Sequence, residues 1–172
     1  MAVFSAGRLD AKEIDRAFPL VSAGASDLTL SAWRRYAGRL LADQPPGGQG
    51  TEWPKAGIVV ARSKDSYIHG LFSYRVVEDL RTGPTVCAND FVALGLLHRA
   101  EAISTLVNAL EAIATAHGCA HMHVHLPESR IIPLSARDSP SETEGSVLRA
   151  LQAHGFRSSS VQLERHAPTH AS

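Results

Sequence analysis

Three histidines stand at alternate positions between Cys119 and Leu126, and alternate residues of a strand point to one face. Residues two apart on a strand lie about 6.5 Å from each other, so two of the imidazoles of His121, His123 and His125 can share a metal ion. All three do not easily meet on one ion. The simpler expectation is a polar strip hydrogen-bonded to backbone or to a neighbouring loop, with no metal site. Asp90 is the second unusual residue, because it interrupts the apolar run Val86 to Leu97, where a charge is costly without a partner. Either the carboxylate is kept there for chemistry, or the strand bulges and the side chain is solvated. The third feature is the turn from Leu97 to Ser104, basic, small in its residues and free of glycine. It opens a helix, and unpaired amides at a helix start favour an anion such as phosphate.

The elements that must position these groups follow from periodicity. Thr85 to Leu97 reads as extended, and Arg99 to His117 carries Ile103, Leu106, Val107, Leu110, Ile113 and Ala114 at helical spacing. Gly118 stands where a helix takes a left-handed cap, and Ala120 to Leu126 is extended again. Strand, helix and strand in that order make a βαβ unit. Upstream, Val3 to Ser5 is a short strand, and Asp10 and Glu13 have capping-box spacing ahead of a helix through Ile14, Ala17, Phe18 and Val21. A second helix begins at Thr29 or Ser31 with Leu30, Trp33, Tyr36, Ala37, Leu40 and Leu41 on one face, while Arg34, Arg35 and Arg39 form a solvated stripe. The turn-rich stretch Asp43 to Gly50 ends it. Ala56 to Ala61 and Tyr67 to Val77 form a hairpin and, with the strand after Thr82 to Pro84, an antiparallel meander. His69 sits in that hairpin, facing either a groove or solvent. Downstream, Pro127 to Thr143 is a long polar loop, Glu144 to His154 a helix capped by Gly155, and Phe156 to Arg165 a final strand.

The 172 residues suit one domain, expected over residues 1–165, with a frayed tail at 166–172. Lysine plus arginine equals aspartate plus glutamate at 17 each, which gives no sign of a nucleic-acid partner. Cys87 and Cys119 lie in apolar surroundings and read as buried thiols in a reducing compartment, so a cytoplasmic location is expected. No apolar run approaches 18 residues and the N-terminus lacks a long apolar region, so neither membrane span nor signal peptide is expected.

The element order, with the helix-to-strand ending at Gly155 and Phe156, resembles the GNAT superfamily of N-acetyltransferases over nearly the whole chain. The resemblance implies an α/β (α+β) fold with a central mixed, mostly antiparallel sheet flanked by helices. It also implies acetyl-CoA, or a related acyl-CoA, as cosubstrate and an amine acceptor that the sequence does not identify. The family motif Q/R-x-x-G-x-G/A falls in one of two registers: Arg99, Ala102 and Ser104, or Leu97, Ala100 and Ala102 with Arg99 beside them. In both, alanine replaces the first glycine. The implied roles are backbone amides of Ala100 to Ser104 for pyrophosphate, Arg99 for phosphate charge, and main chain at Leu94 and Leu96 for pantetheine. Asp90 or His125 would accept the proton of the amine. Leu151 and Glu144 stand where the family often has a tyrosine acid and an asparagine, and leucine cannot transfer a proton. Two functions are therefore expected: an N-acetyltransferase, or a GNAT-like binding or regulatory module without transfer chemistry. Oligomeric state stays open, a homodimer included.

Overall fold

Short local signals start and stop the elements, and a computed structural model describes them for residues 3–23, 25, 27–42, 53–94, 98–126 and 144–158. The strands are β1 (Phe4–Arg8), β2 (Ala56–Ser63), β3 (Ile68–Asp79), β4 (Gly83–Ala93) and β5 (His121–Val124). The helices are α1 (Ile14–Ser22), α2 (Leu30–Ala42), α3 (Arg99–Ala116) and α4 (Glu144–Ala153), with a 3-10 turn, Ala11–Glu13, before α1. The capping box forms as its spacing predicts: the Lys12 amide donates to Asp10 Oδ1 at 2.9 Å, and the Asp10 amide to Glu13 Oε2 at 3.0 Å. Thr29 Oγ1 accepts from the Ala32 amide at 3.2 Å and opens α2. Both later helices end in Schellman motifs. The Cys119 amide reaches the Ala114 carbonyl at 2.8 Å and the Phe156 amide that of Leu151 at 3.1 Å, around Gly118 and Gly155 at φ +64° and +88°.

The sheet has the order β1-β2-β3-β4-β5, antiparallel throughout except for the parallel pair β4 and β5. Alternation along the strands sends side chains to two cores. On one face Val59, Phe72, Tyr74, Val86, Ala88 and Phe91 meet α3 and, through Val147 and Leu151, α4. On the other, Ile58, Val60, Leu71 and Val92 meet α1 and α2 through Leu20, Trp33 and Leu40. Gly70 lets α3 lie against the first face, since a Cβ there would stand 2.9 Å from Leu106 Cδ1 and 3.1 Å from the Val92 carbonyl oxygen. Among the described residues, no helix is long and apolar enough to cross a membrane.

Several expectations change. The first strand runs to Arg8 instead of stopping at Ser5, because its backbone pairs with β2 as far as Val59. β4 stops at Ala93, where its ladder with β3 ends opposite Gly70, and β5 covers only His121–Val124, the four residues that pair with β4. The final strand expected over 156–165 falls mostly outside the described residues, and Phe156 to Ser158 are not extended into one. The linker at 43–50, the loop at 127–143 and the tail at 166–172 also lie outside them. Cys87 and Cys119 are free thiols, but half-buried rather than fully so. Burial raises the thiol pKa of each.

Candidate active site

The strand pairing creates the first unusual geometry. β3 and β4 pair Leu71 with Val92 and Ser73 with Asn89, so Asp90 and Phe91 together oppose Phe72 in a β-bulge. The bulge separates its two residues. Phe91 turns into the core and stacks on Phe72 with ring centroids 5.6 Å apart, while Asp90 is exposed on the other face. Asp90 has φ +54°, a left-handed conformation that Asp adopts more readily than most residues because its short polar side chain can hydrogen-bond locally. Asp90 is therefore bulged and exposed, as the second of its two readings has it, and is also held by specific partners.

Those partners are Tyr36 on α2 and Ser73 on β3. Tyr36 Oη and Ser73 Oγ each lie 2.7 Å from Asp90 Oδ2, and they lie 2.8 Å from each other. Two hydroxyl protons thus serve three short contacts, two of which end on one carboxylate oxygen. Ser73 is 2 % exposed and Tyr36 is 41 % exposed. Desolvation, opposed by the Ser73 hydrogen bond, pushes the Tyr36 hydroxyl up to about 12 and keeps it protonated at neutral pH. Sequence reasoning grouped Tyr36 with the core face of α2, where Trp33, Ala37 and Leu40 are buried. Tyr36 sits on the flank of that face, and only its helical offset from Trp33 could have signalled this. Ser73 gave no signal at all. Of the arginine stripe, Arg34 makes a two-pronged pair with Asp15 at 2.8 and 2.7 Å, and Arg35 and Arg39 are exposed.

The second geometry is a gap beside β4 among the described residues. The last link to the fifth strand is the His125 amide donating to the Ala88 carbonyl at 2.9 Å. Beyond Ala88, β4 has no β5 partner among the described residues. The Leu94 amide is already committed to the His69 carbonyl at 2.8 Å. Ladder alternation then turns the Ala93 amide the opposite way, toward the gap. Ala93 thus offers a main-chain donor on that side, which the Leu94 amide does not; Leu96 lies outside the described residues.

Helix α3 begins at Arg99, six residues beyond the end of β4, and the ring of His98 before it lies 6.3 Å from that of Phe4 in β1. Its N-cap residue, His98, makes no side-chain cap, and its Nδ1 stands 3.2 Å from Glu101 Oε2. The Ala102 amide donates to the His98 carbonyl at 3.1 Å, so the amides open to an anion precede it in the first turn. Ala102 is fully buried, Ala100 is exposed, Arg99 is partly exposed, and Ser104 Oγ lies 3.0 Å from His154 Nε2. The register Leu97, Ala100, Ala102 therefore puts a small exposed residue in the open turn. The register Arg99, Ala102, Ser104 instead puts a buried one there. Leu151 is 2 % exposed and packs in the core, without a polar group to offer.

The histidine strip takes its place from register. Met122 and Val124 pack on the α3 core, which turns His121, His123 and His125 to the opposite face, the one that carries Asp90. His121 pairs with Thr85 and His123 with Cys87, while His125 lies just past the last paired residue, exposed. His69 packs its ring edge-on to Phe4 at 5.0 Å instead of facing either expected direction freely. Among the described residues, no group of three or more His, Cys, Asp or Glu is placed to hold a metal ion.

The order of elements, with a mostly antiparallel sheet, one parallel pair and a bulge in β4, is that of the GNAT fold. Comparison with solved structures agrees over nearly the full length. A transcriptional regulator from Bacillus halodurans C-125 superposes with a TM-score of 0.69 at 14% identity, over 95% of this chain and 99% of that one. An aminoglycoside N-acetyltransferase in complex with CoA gives 0.65 at 15% identity, over 95% and 94% of the two chains. Glucosamine-6-phosphate N-acetyltransferase from Arabidopsis thaliana gives 0.62 at 15%, over 95% and 97%. No protein-family model and no curated relative matches the sequence itself.

Proposed function

We propose that the protein is an N-acyltransferase that takes acetyl-CoA, or a related acyl-CoA, and passes the acyl group to an amine. The observation that carries the proposal is the stretch of β4 after Ala88, without a β5 partner among the described residues and with the Ala93 amide turned to that side, followed in the chain by an α3 start that lacks a side-chain cap. The residues fit an acyl-CoA in three respects. Open first-turn amides and the helix dipole favour a pyrophosphate, Arg99 adds positive charge at the same turn, and the Ala93 amide offers a hydrogen bond to the pantetheine arm. Glu101 opposes an anion there, but its carboxylate is about half exposed and pairs with His98. The CoA complex of the structurally similar aminoglycoside N-acetyltransferase supports the same choice of cosubstrate.

Asp90 is the group best held to take a proton from the incoming ammonium, with His125 as the other candidate at the end of β5. The neutral amine then attacks the thioester carbon. The carbon–nitrogen bond forms as the carbon–sulfur bond breaks, and the thiolate takes the amine's second proton through solvent. Leu151 supplies nothing to that last step, and its burial favours a second reading, a binding module that has lost transfer. Thermal-shift titration tests the cosubstrate, since a ligand that binds only the folded state raises its stability by mass action. No shift with millimolar acetyl-CoA would end the proposal. A shift without acetyl transfer to any of a broad panel of amines supports the module.

A further inference from the structure

We infer that the acceptor is a small amine that also carries an anionic group, its ammonium taken by Asp90 and its anion by Arg75. The inference rests on the acyltransferase reading of the β4 bulge and names the substrate class for it. Asp90 accepts both of its hydrogen bonds, from Tyr36 and Ser73, at Oδ2. Oδ1 has no partner among the described residues. A carboxylate already fixed by two hydroxyls loses little freedom when a ligand arrives, and an ammonium offers it up to three donors.

Arg75 follows Ser73 by two residues on β3 and shares its face, because Tyr74 and Val76 pack on the opposite core. Two strand residues span about 7 Å. Arg75 is exposed and makes no hydrogen bond or ion pair among the described residues. Its charge is felt at the Tyr36 hydroxyl, where it opposes the upward shift. Arg75 and Asp90 are thus complementary charges near one tyrosine, fixed to neighbouring strand positions and not paired with each other. Beside them on the sheet Ser73 pairs with Asn89 and Arg75 with Cys87, and Cys87 in turn with His123. The other carboxylate on this face, Asp79, is occupied by the Arg81 and Thr82 amides at 2.8 and 2.9 Å and the Thr82 hydroxyl at 3.0 Å. A zwitterion bridges Asp90 and Arg75, whereas a diamine would bring a second positive charge against Arg75.

Calorimetric titration of the full chain, with and without CoA, tests this with β-alanine against β-alaninamide, and with O-phosphoethanolamine against ethanolamine. The two pairs separate a carboxylate from a phosphate as the anion. At least one anionic amine should bind about tenfold more tightly than its partner, the fold-change of one charge-assisted contact. Arg75→Gln should erase the preference, Arg75→Lys should keep much of it, and Asp90→Asn should weaken both members of the pair. Equal affinities within both pairs, no binding of either anionic amine, or a preference that survives Arg75→Gln would each overturn the inference. Failure of CoA itself to bind defeats the acyltransferase reading alone, because the titrations without CoA decide the amine site separately.

Discussion

The left-handed backbone of Asp90 makes a prediction whose sign is unusual. Asp90→Gly and Asp90→Ala both delete the carboxylate and its contacts with Tyr36 and Ser73, so those losses cancel when the two variants are compared. What remains is a Cβ at φ +54° in the alanine variant. That conformation costs an L-residue with a Cβ about 1–2 kcal/mol. Glycine in turn has more freedom to lose from the unfolded chain, a disadvantage of about 0.4–1 kcal/mol. The difference leaves Asp90→Gly more stable than Asp90→Ala by about 1 kcal/mol. At an ordinary strand position the order is reversed, glycine being the less stable by about 0.5–1 kcal/mol. Urea unfolding followed by circular dichroism reads the result, with midpoints separated by about 0.5 M at an m-value of about 2 kcal/mol/M. An alanine variant as stable as the glycine variant, at equal m, would refute the bulge geometry and with it the aim of the Asp90 carboxylate.

Other predictions follow from particular contacts. Gly70→Ala should lower stability by about 1–3 kcal/mol in the same assay, because the Val92 carbonyl 3.1 Å away is backbone and cannot yield as the Leu106 side chain can. Gly118→Ala and Gly155→Ala have open space for a methyl, so each should lose only the cost of its positive φ, about 1 kcal/mol. The Arg62 guanidinium, which donates from Nε and Nη2 to the two carboxylate oxygens of Glu13, holds the Glu13 carboxyl below its ordinary value of 4.5. A carboxylate with a lowered folded pKa stabilises the fold above the unfolded value, and that contribution is lost as pH falls through the folded one. Glu13→Gln should therefore flatten the fall of stability below pH 4.5, as measured by urea midpoints across an acid pH series.

Most of the frame was legible before any coordinate. Helical spacing from Ile103 to Ala114 found α3, and the glycines at 118 and 155 found the ends of two helices, because those signals act within one or two turns of chain. The capping box at Asp10 and Glu13 is equally local. Strand ends were less legible: β4 was expected to reach Leu97, since an apolar run does not record where a partner strand departs. Tyr36 was assigned to the core because an aromatic at helical spacing usually is, and its neighbour Trp33 does lie there at 2 % exposure.

The sequence by itself determined the order of elements, the alternation that puts His121, His123 and His125 on one face, and the absence of glycine from Leu97 to Ser104. Each is a matter of residue type and near-neighbour spacing. Only the tertiary structure decided that Asp90 sits in a bulge, that Tyr36 and Ser73 hold one of its oxygens, and that Arg75 stands on the same face. Those residues are 17 to 54 positions apart where they touch. A bulge is a mismatch between two strands, so it exists in their register and in neither strand alone. The same register aims the Ala93 amide at the gap and turns a solitary charge in an apolar run into a positioned carboxylate.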